Sequence, residues 1–306
     1  MAEQSPKQPL RRKPIVGLPG GTSMLKFVPL ALFAAILSVS AVAFAPAHSV
    51  DDIVQVRLYA LDCGRIQVKD MGAFSDTGEY AGKPGIVVDP CFVIRHPKGT
   101  LLWDTGLGDK LAGSKGGIDI EGGHIQVDVT LLDQLKAIGL TPADITYLSF
   151  SHTHFDHTGN ADEFPGATWI LNKTEIAWAE SRPGVFVNLD SFSGYKTAKT
   201  QMIDGDYDVF GDHSVVILKT PGHTPGHQSL ELVLKKSGVV ILSGDLWHLR
   251  DNYRFRRVPT NNTERADTLA SMDRISSILK NTKGRLVIQH DPADFKALPK
   301  ATDYLD

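Results

Sequence analysis

Short apolar runs alternate with polar turn residues along most of the chain. From residue 54 onward these runs are rich in Val, Ile, Leu and aromatic residues, and they end at Gly, Pro, Asp or Ser. This is the pattern of β-strands bounded by turns. It predicts ten strands, over residues 54–60, 86–88, 91–96, 100–103, 146–151, 168–171, 214–219, 228–233, 239–243 and 285–289.

Three longer segments predict helices. Leu269, Met272, Ile275 and Leu279 recur at helical spacing, which indicates a helix over residues 265–280. The other two helices are predicted over 129–138 and 173–180. The strands fall in two batches with helices between and after them, so we expect an α/β protein with two sheets sandwiched by helices. No Pro/Gly/Ser-rich linker divides the sequence after residue 51, and residues 48–306 are predicted to be one domain.

The N-terminal segment has a different pattern. Residues 27–45 carry no charge, follow Lys26, and are succeeded by Pro46 and Ala47. A basic region, an apolar run and small residues at its end predict a signal peptide over 1–47, and therefore a periplasmic or secreted protein. Because the run approaches the ~20 residues that cross a bilayer, an uncleaved membrane anchor is one alternative. A buried apolar helix in a cytosolic chain is the other.

Composition excludes several classes of protein. The 306 residues are 42% hydrophobic and 22% charged, with 28 Gly and 17 Pro, which excludes disordered, collagen-like and coiled-coil chains. The net charge of −3 gives no indication of a nucleic-acid partner. Cys63 and Cys91 are too few for a disulfide framework or a cysteine zinc finger. In an exported chain they could pair, and the alternative is two buried free thiols.

Six of the eleven histidines lie where predicted strands end. The segment 151–157, SHTHFDH, follows one apolar run, and the segment 220–227, TPGHTPGH, follows another. Asp245 and His290 close two further runs. Loops at the ends of buried strands are the usual position of sites on a rigid scaffold.

The spacing within the first cluster indicates a metal site. His152 and His154 are two residues apart, so in an extended segment their rings point the same way. A bend must then bring Asp156 and His157 to a second point nearby. Buried imidazoles and carboxylates are costly without partners, and a divalent metal satisfies them together. Nitrogen and oxygen ligands without a thiolate favour Zn, with Mn, Fe or Co as alternatives.

The H-x-H-x-D-H, T-P-G-H-T-P-G-H and Gly244-Asp245 segments and the strand-end His290, in this order, resemble the metallo-β-lactamase superfamily. The resemblance implies an αβ/βα four-layer sandwich with two metal ions at the shared edge of its sheets. Seven residues occupy the ligand positions. By resemblance, the first metal takes His152, His154 and His223, the second takes Asp156, His157 and His290, and Asp245 bridges both.

Residues around these ligands also match the superfamily. Asp104 stands where the family has an aspartate that orients a ligand histidine. His227 is interpreted as a structural hydrogen-bonding residue. The segments 91–97, 104–107, 202–207 and 226–230 resemble the N-acyl homoserine lactonases most. Those lactonases place a tyrosine three residues after the bridging aspartate, where this chain has His248, so His248 is expected to hydrogen-bond the substrate.

The resemblance implies a metal-dependent hydrolase that opens a lactone ring, with N-acyl homoserine lactones as substrates and Asp156 passing a proton to the leaving oxygen. Other hydrolases of the same fold act on aryl esters, organophosphates, thioesters or β-lactams, and these remain alternatives. A non-catalytic metal-binding or partner-binding protein is a third. The chain has no Gly-x-Ser-x-Gly segment, which argues against a serine hydrolase.

The expected partner is a small-molecule substrate, with membrane contact only through an uncleaved anchor and no prediction of oligomeric state. Loops 71–85, 112–123 and 182–199 are the candidates for substrate selectivity. Five aromatic residues are candidates for the wall of the substrate site, with Trp247 and Phe186 preferred. The others are Phe74, Phe192 and Tyr253, and a core position is the alternative for each of the five.

Overall fold

A computed structural model describes residues 54–181 and 186–306. The predicted signal peptide over 1–47, and the anchor that is its alternative, lie outside the described residues. Within the described ranges, no helix combines the length and the apolar character that crossing a membrane requires.

The first sheet has eight strands. They are β1 (Arg57–Val68), β2 (Gly85–His96), β3 (Gly99–Trp103), β4 (Ile118–Ile120), β5 (Gly123–Gln126), β6 (Tyr147–Ser149), β7 (Thr168–Asn172) and β8 (Thr200–Ile203). Their order is β4-β5-β1-β2-β3-β6-β7-β8. The pairs from β4 to β3 are antiparallel, and β3, β6, β7 and β8 are parallel.

The second sheet has five strands. They are β9 (Tyr207–Asp208), β10 (Val215–Lys219), β11 (Gln228–Leu234), β12 (Gly238–Leu242) and β13 (Arg285–Val287), in the order β13-β12-β11-β10-β9. Six α-helices accompany the sheets in the described residues. They are α1 (Leu131–Ala137), α2 (Phe155–Thr158), α3 (Lys173–Ser181), α4 (Arg250–Phe255), α5 (Arg265–Thr282) and α6 (Pro292–Lys296).

Three apolar clusters show how the layers stack. Phe92 of β2 and Ile217 of β10 belong to one cluster, which fills the space between the two sheets. Val93, the next residue of β2, faces the opposite way and packs in the cluster that contains α1 and α3. Met272 of α5 packs against the outer face of the second sheet, beside Ile241. The order of layers is helix, sheet, sheet, helix, which confirms the predicted αβ/βα sandwich.

The elements differ from the prediction mainly at their ends and in short pieces. The strands predicted over 86–88 and 91–96 form one strand, β2, which runs through Pro90. Pro90 lies opposite Asp62, where the β1–β2 register shifts, and a proline is tolerated at such an irregularity because a ladder hydrogen bond is already interrupted there. The short strands β4, β5, β8 and β9 were not predicted, nor were helices α2, α4 and α6.

The two cysteines are paired. Cys63 of β1 and Cys91 of β2 form a disulfide, with their Cα atoms 5.7 Å apart. Both side chains are buried in the cluster beneath α1 and α3. Of the two alternatives that the sequence left open, the structure has the pair.

Candidate metal centre and active-site cavity

Four loops at one edge of the sandwich bring the predicted ligands together. Strand β6 ends at Ser149 and leads into the segment 151–157, and β10 ends at Lys219 and leads into the segment 220–227. Asp245 follows β12, and His290 follows β13. The bend expected between His154 and Asp156 is the start of helix α2, for which His154 is the N-cap residue.

The first group of ligand atoms belongs to His152, His154, His223 and Asp245, and these atoms lie within 4.8 Å of one another. Nδ1 of His154 is 2.8 Å from Nε2 of His152 and 3.1 Å from Nε2 of His223. Oδ2 of Asp245 is 3.7 Å from the same nitrogen of His152 and 3.4 Å from that of His223. These atoms point toward one centre.

The second group consists of Asp156, His157 and His290, which also lie within 4.8 Å of one another. The Asp156 oxygens are 3.9 Å from Nε2 of His157 and 3.8 Å from Nε2 of His290. Oδ1 of Asp245 is 3.3 Å from the first of these nitrogens and 3.0 Å from the second. Asp245 therefore presents one oxygen to each group of histidines.

Asp104 orients one of these histidines. It is fully buried, and its Oδ2 lies 3.1 Å from Nδ1 of His157. The same oxygen accepts a hydrogen bond from Gln289 Nε2, and Oδ1 accepts one from the Ser151 amide. Asp104 has φ +58°, in the left-handed region that aspartate tolerates better than most residues. This backbone conformation places the carboxylate of Asp104 between the segment that begins at Ser151 and the segment that contains Gln289.

His227 lies directly behind Asp245. Its Nε2 accepts a hydrogen bond of 2.9 Å from the Asp245 amide, and its Nδ1 donates to the Thr220 carbonyl oxygen at 2.8 Å. The ring thus fixes the backbone of the residue shared by both groups. In the same way, Nδ1 of His290 donates to the Val88 carbonyl oxygen at 2.7 Å, which leaves Nε2 to face the centre.

Glu175 is a supporting residue that the sequence analysis missed. It is buried in α3 and accepts hydrogen bonds from the amides of Thr153 and Gly226, at 2.9 and 3.0 Å. The Glu175 carboxylate therefore links the segment 151–157 to the segment 220–227 through hydrogen bonds. Nothing in the local sequence distinguishes it from a solvent-facing helix residue, because the contact depends on how α3 packs.

The directions in which the histidine pKa values are shifted divide these residues into the same two groups. Burial holds the pKa of His152 and His223 well below the ordinary value, and it lowers the pKa of His154 to about 4. Burial also disfavours the charged form of His290, but the adjacent Asp245 carboxylate outweighs it and raises the pKa of His290 to about 9. For His157, burial is likewise outweighed, by Asp104, and its pKa is raised.

These residues fit a divalent metal. Burial favours the neutral form of the three histidines of the first group, and the neutral form is the one that coordinates metals. Nε2 of His157 and Oδ1 of Asp245 are buried and have no hydrogen-bond partner among the described residues. Imidazole nitrogens with carboxylate oxygens are a donor set for zinc and its neighbours in the transition series.

A cavity of about 270 Å³ opens onto the centre. Its polar end is lined by His154, Asp156, Asp245, His248 and His290. Its other walls include residues of β1, of β2 and of the three segments predicted to set selectivity. Ala73 and Phe74 come from the first loop, residues 120–123 from the second, and Phe186 from the third. Residues 182–185 of the third loop lie outside the described part of the chain.

His248 lies at the boundary between the metal centre and the cavity. Its Nε2 is 3.0 Å from Oδ2 of Asp245, and its ring stacks on His290 with centroids 5.5 Å apart. Phe74 packs against its other side at 4.9 Å. The side chain expected to hydrogen-bond the substrate is therefore next to the bridging position.

The structure corrects the assignment of Trp247 to the substrate site. Trp247 is 1% exposed and packs in the core beside α5, with its ring 5.2 Å from that of Tyr253. Its backbone is extended, so Trp247 and His248 point to opposite sides, and only His248 faces the cavity. Phe192 is likewise buried in the core. Of the aromatic candidates, Phe74 and Phe186 line the cavity.

The chain is similar to known proteins over most of its length. Residues 86–290 match the sequence profile of the Metallo-beta-lactamase superfamily. The chain is 30% identical over 277 residues to the N-acyl homoserine lactonase AttM of Azorhizobium caulinodans, which covers 83% of this chain and 100% of the relative. It is 30% identical over 223 residues to the N-acyl homoserine lactonase AiiA of Bacillus thuringiensis subsp. kurstaki, which covers 70% of this chain and 86% of the relative.

A solved structure is similar as well. It is an N-acyl homoserine lactone hydrolase with the product N-hexanoyl-L-homoserine bound at its catalytic metal centre. The TM-score is 0.71 at 27% identity, over 82% of this chain and 99% of that one.

Proposed function

The chain belongs to the metallo-beta-lactamase superfamily, and we propose that it is a metal-dependent hydrolase that opens the lactone ring of N-acyl homoserine lactones. The observation that carries the proposal is the position of Asp245, which offers one carboxylate oxygen to each of two histidine groups at the floor of a cavity. The relatives named N-acyl homoserine lactonases, which align with most of this chain, support the choice of substrate.

Two divalent ions are proposed to occupy the centre, with zinc favoured by the donor set and Mn, Fe or Co as alternatives. His152, His154 and His223 would hold the first, Asp156, His157 and His290 the second, and Asp245 both. Bound there, the ions would polarise the lactone carbonyl and activate water near neutral pH.

The chain's own residues would position the substrate and move a proton. His248, beside Asp245, would donate a hydrogen bond to the lactone carbonyl oxygen as negative charge develops there. The Asp156 carboxylate would carry a proton to the ring oxygen as it leaves. The apolar walls formed by Phe74, Val87 and Phe186 suit an acyl chain, because burying such a chain there removes apolar surface from water.

We also propose that the protein is exported to the periplasm or secreted. The apolar run at 27–45 and the paired Cys63 and Cys91 support this, because structural disulfides persist in oxidising compartments. Fractionation of cells that produce the full chain should place the protein, shortened by about 47 residues, outside the cytoplasm. Full-length protein in the cytoplasm would contradict export.

The substrate is tested by comparing turnover of the metal-loaded protein on N-hexanoyl homoserine lactone, paraoxon and nitrocefin. The proposal expects kcat/KM to be at least a hundredfold higher for the lactone than for the organophosphate or the β-lactam. Hydrolysis of either of the other two with no turnover of the lactone would replace the proposed substrate.

A further inference from the structure

Asp89 is a buried carboxylate that the proposed reaction does not use. It lies in β2 with 0% exposure, and neither of its oxygens accepts a hydrogen bond from the residues that the structure describes. Other buried carboxylates near the centre are well supplied with donors. Asp104 accepts from Ser151, His157 and Gln289, and Glu175 accepts from two backbone amides. A carboxylate buried without donors is costly unless positive charge lies nearby.

The strand places Asp89 next to Val88, which is hydrogen-bonded to His290 of the second group of ligands. Because side chains alternate along a strand, Val87, Asp89 and Cys91 share one face of β2. Val87 lines the cavity and Cys91 lies in the buried disulfide, so Asp89 is located between the two. The amide of the neighbouring Val88 donates a hydrogen bond to the His290 carbonyl oxygen, and Nδ1 of His290 donates to the Val88 carbonyl oxygen at 2.7 Å.

The charges that act on Asp89 are those of the second group and of Asp104. Burial raises the pKa of Asp89 well above its ordinary value, and the nearby Asp156 raises it further, while His157 and His290 act in the opposite direction. Asp89 is nevertheless outside each group of ligand atoms that lie within 4.8 Å of one another. Because the charges of the second group affect Asp89, its own charge can act on that group in return. Its position outside the groups of ligand atoms indicates that it acts in this way and not as a ligand.

A bound cation would resolve the unpaired charge. Two divalent ions carry four positive charges, and the ligands Asp156 and Asp245 supply two negative ones. Asp89 would add negative charge to that of these ligands and of the buried Asp104, in a region where charges interact strongly. The cation would in turn offset the cost of burying this carboxylate.

We propose that Asp89 is a positioning residue for the second ion, whose negative charge raises the affinity of the group Asp156, His157 and His290 for a divalent cation. This rests on the proposed metal centre. According to this proposal, the residues that determine metal affinity include one on β2, in addition to the seven ligands. The affinities of the two ions then depend unequally on Asp89.

The test is a zinc titration of the full chain after removal of metal with a chelator, for the wild type and Asp89→Asn. The dissociation constant of one ion should rise 10- to 100-fold in the variant, as for other residues that support ligands from outside. That of the other ion should change less than threefold. The thermal midpoint of the metal-free variant should equal or exceed that of the wild type, because burial already favours the neutral form of Asp89 when no cation is bound, and asparagine is a neutral side chain of similar shape.

The control is Asp267→Asn, which makes the same charge change on the exposed first turn of α5 and should leave both dissociation constants within twofold of the wild type. Two outcomes would overturn the proposal. One is zinc binding by Asp89→Asn that matches the control. The other is a thermal midpoint of Asp89→Asn that lies as far below the wild-type value without metal as it does with metal. That result would make Asp89 a purely structural residue.

Asp89→Ala provides a second test if the Asn variant does not fold, and failure of both variants to fold without metal would also assign a structural role. Wild-type protein that binds fewer than two zinc ions would refute the proposed metal centre itself. Two bound ions without lactone turnover would refute the proposed reaction and leave the role of Asp89 intact.

Discussion

Removal of the Cys63–Cys91 disulfide should destabilise the fold by an amount that can be worked out from the length of the loop that the bond closes. The bond closes a loop with a sequence separation of 28 residues. The loss of loop-closure entropy in the unfolded chain then corresponds to about 3.5 kcal/mol at 25 °C. Domains are typically stable by about 5–15 kcal/mol, so the double variant Cys63→Ala/Cys91→Ala should fold but with much less margin.

The bond also supports the metal centre. The turn after Asp104 packs closely on the disulfide. A Cβ atom at Gly106, in this turn, would lie 2.3 Å from the Cβ of Cys63, so only glycine fits there. The Leu107 amide donates to the Cys63 carbonyl oxygen in the same contact. Part of the destabilisation should therefore appear as looser packing of the turn that carries Asp104.

Urea unfolding of metal-free protein, followed by circular dichroism, measures the effect. Wild-type protein with a reducing agent is the matched control and should behave like the double variant. A thiol reagent added to unfolded, unreduced wild type should find no free thiol. A difference in unfolding free energy below about 1 kcal/mol, or two reactive thiols, would refute the reasoning from loop closure.

Three further variants test the site. Asp104→Asn should weaken the binding of one metal ion 10- to 100-fold in a zinc titration by loosening His157, and unchanged binding would show that Asp104 does not orient it. His248→Ala should lower kcat for a homoserine lactone about 10- to 100-fold, with most of the activity regained in His248→Tyr, and equal kcat in all three proteins would exclude a hydrogen bond to the substrate. Phe186→Ala should raise KM about tenfold for a decanoyl substrate and little for a butanoyl one, and equal effects on both would remove Phe186 from the acyl-chain wall.

The clustering of the candidate ligands could be predicted because strand ends are readable from the sequence, whereas their division between two metal ions came from the resemblance to the superfamily. An apolar run that stops at His, Asp or Gly marks both the strand and the loop after it, as at His152 and His290. The expectation of a divalent metal follows from the residue types, which are imidazoles and carboxylates without a thiolate. The layers of the sandwich could be predicted for the same reason, since long apolar runs and one long amphipathic helix define them.

Features set by tertiary contacts were not predictable from the sequence alone. Trp247 and His248 are adjacent, and only the direction of the turn after β12 decides which of them faces the cavity. Asp89 and Glu175 are ordinary acidic residues until packing buries them beside the ligand loops. Strands β4 and β9 are three and two residues long, which is too short for the alternation of apolar and polar positions that identifies a strand in a sequence.

The central claim is that ring opening of a homoserine lactone requires the two-metal site built around Asp245. Its most direct test is to titrate metal-free protein with zinc and to follow the opening of N-hexanoyl homoserine lactone by acid release, for the wild type and Asp245→Ala. We expect the rate to rise until about two ions are bound per chain, and the variant to remain folded and inactive throughout. Lactone turnover that is independent of added zinc and unchanged in Asp245→Ala would contradict the account.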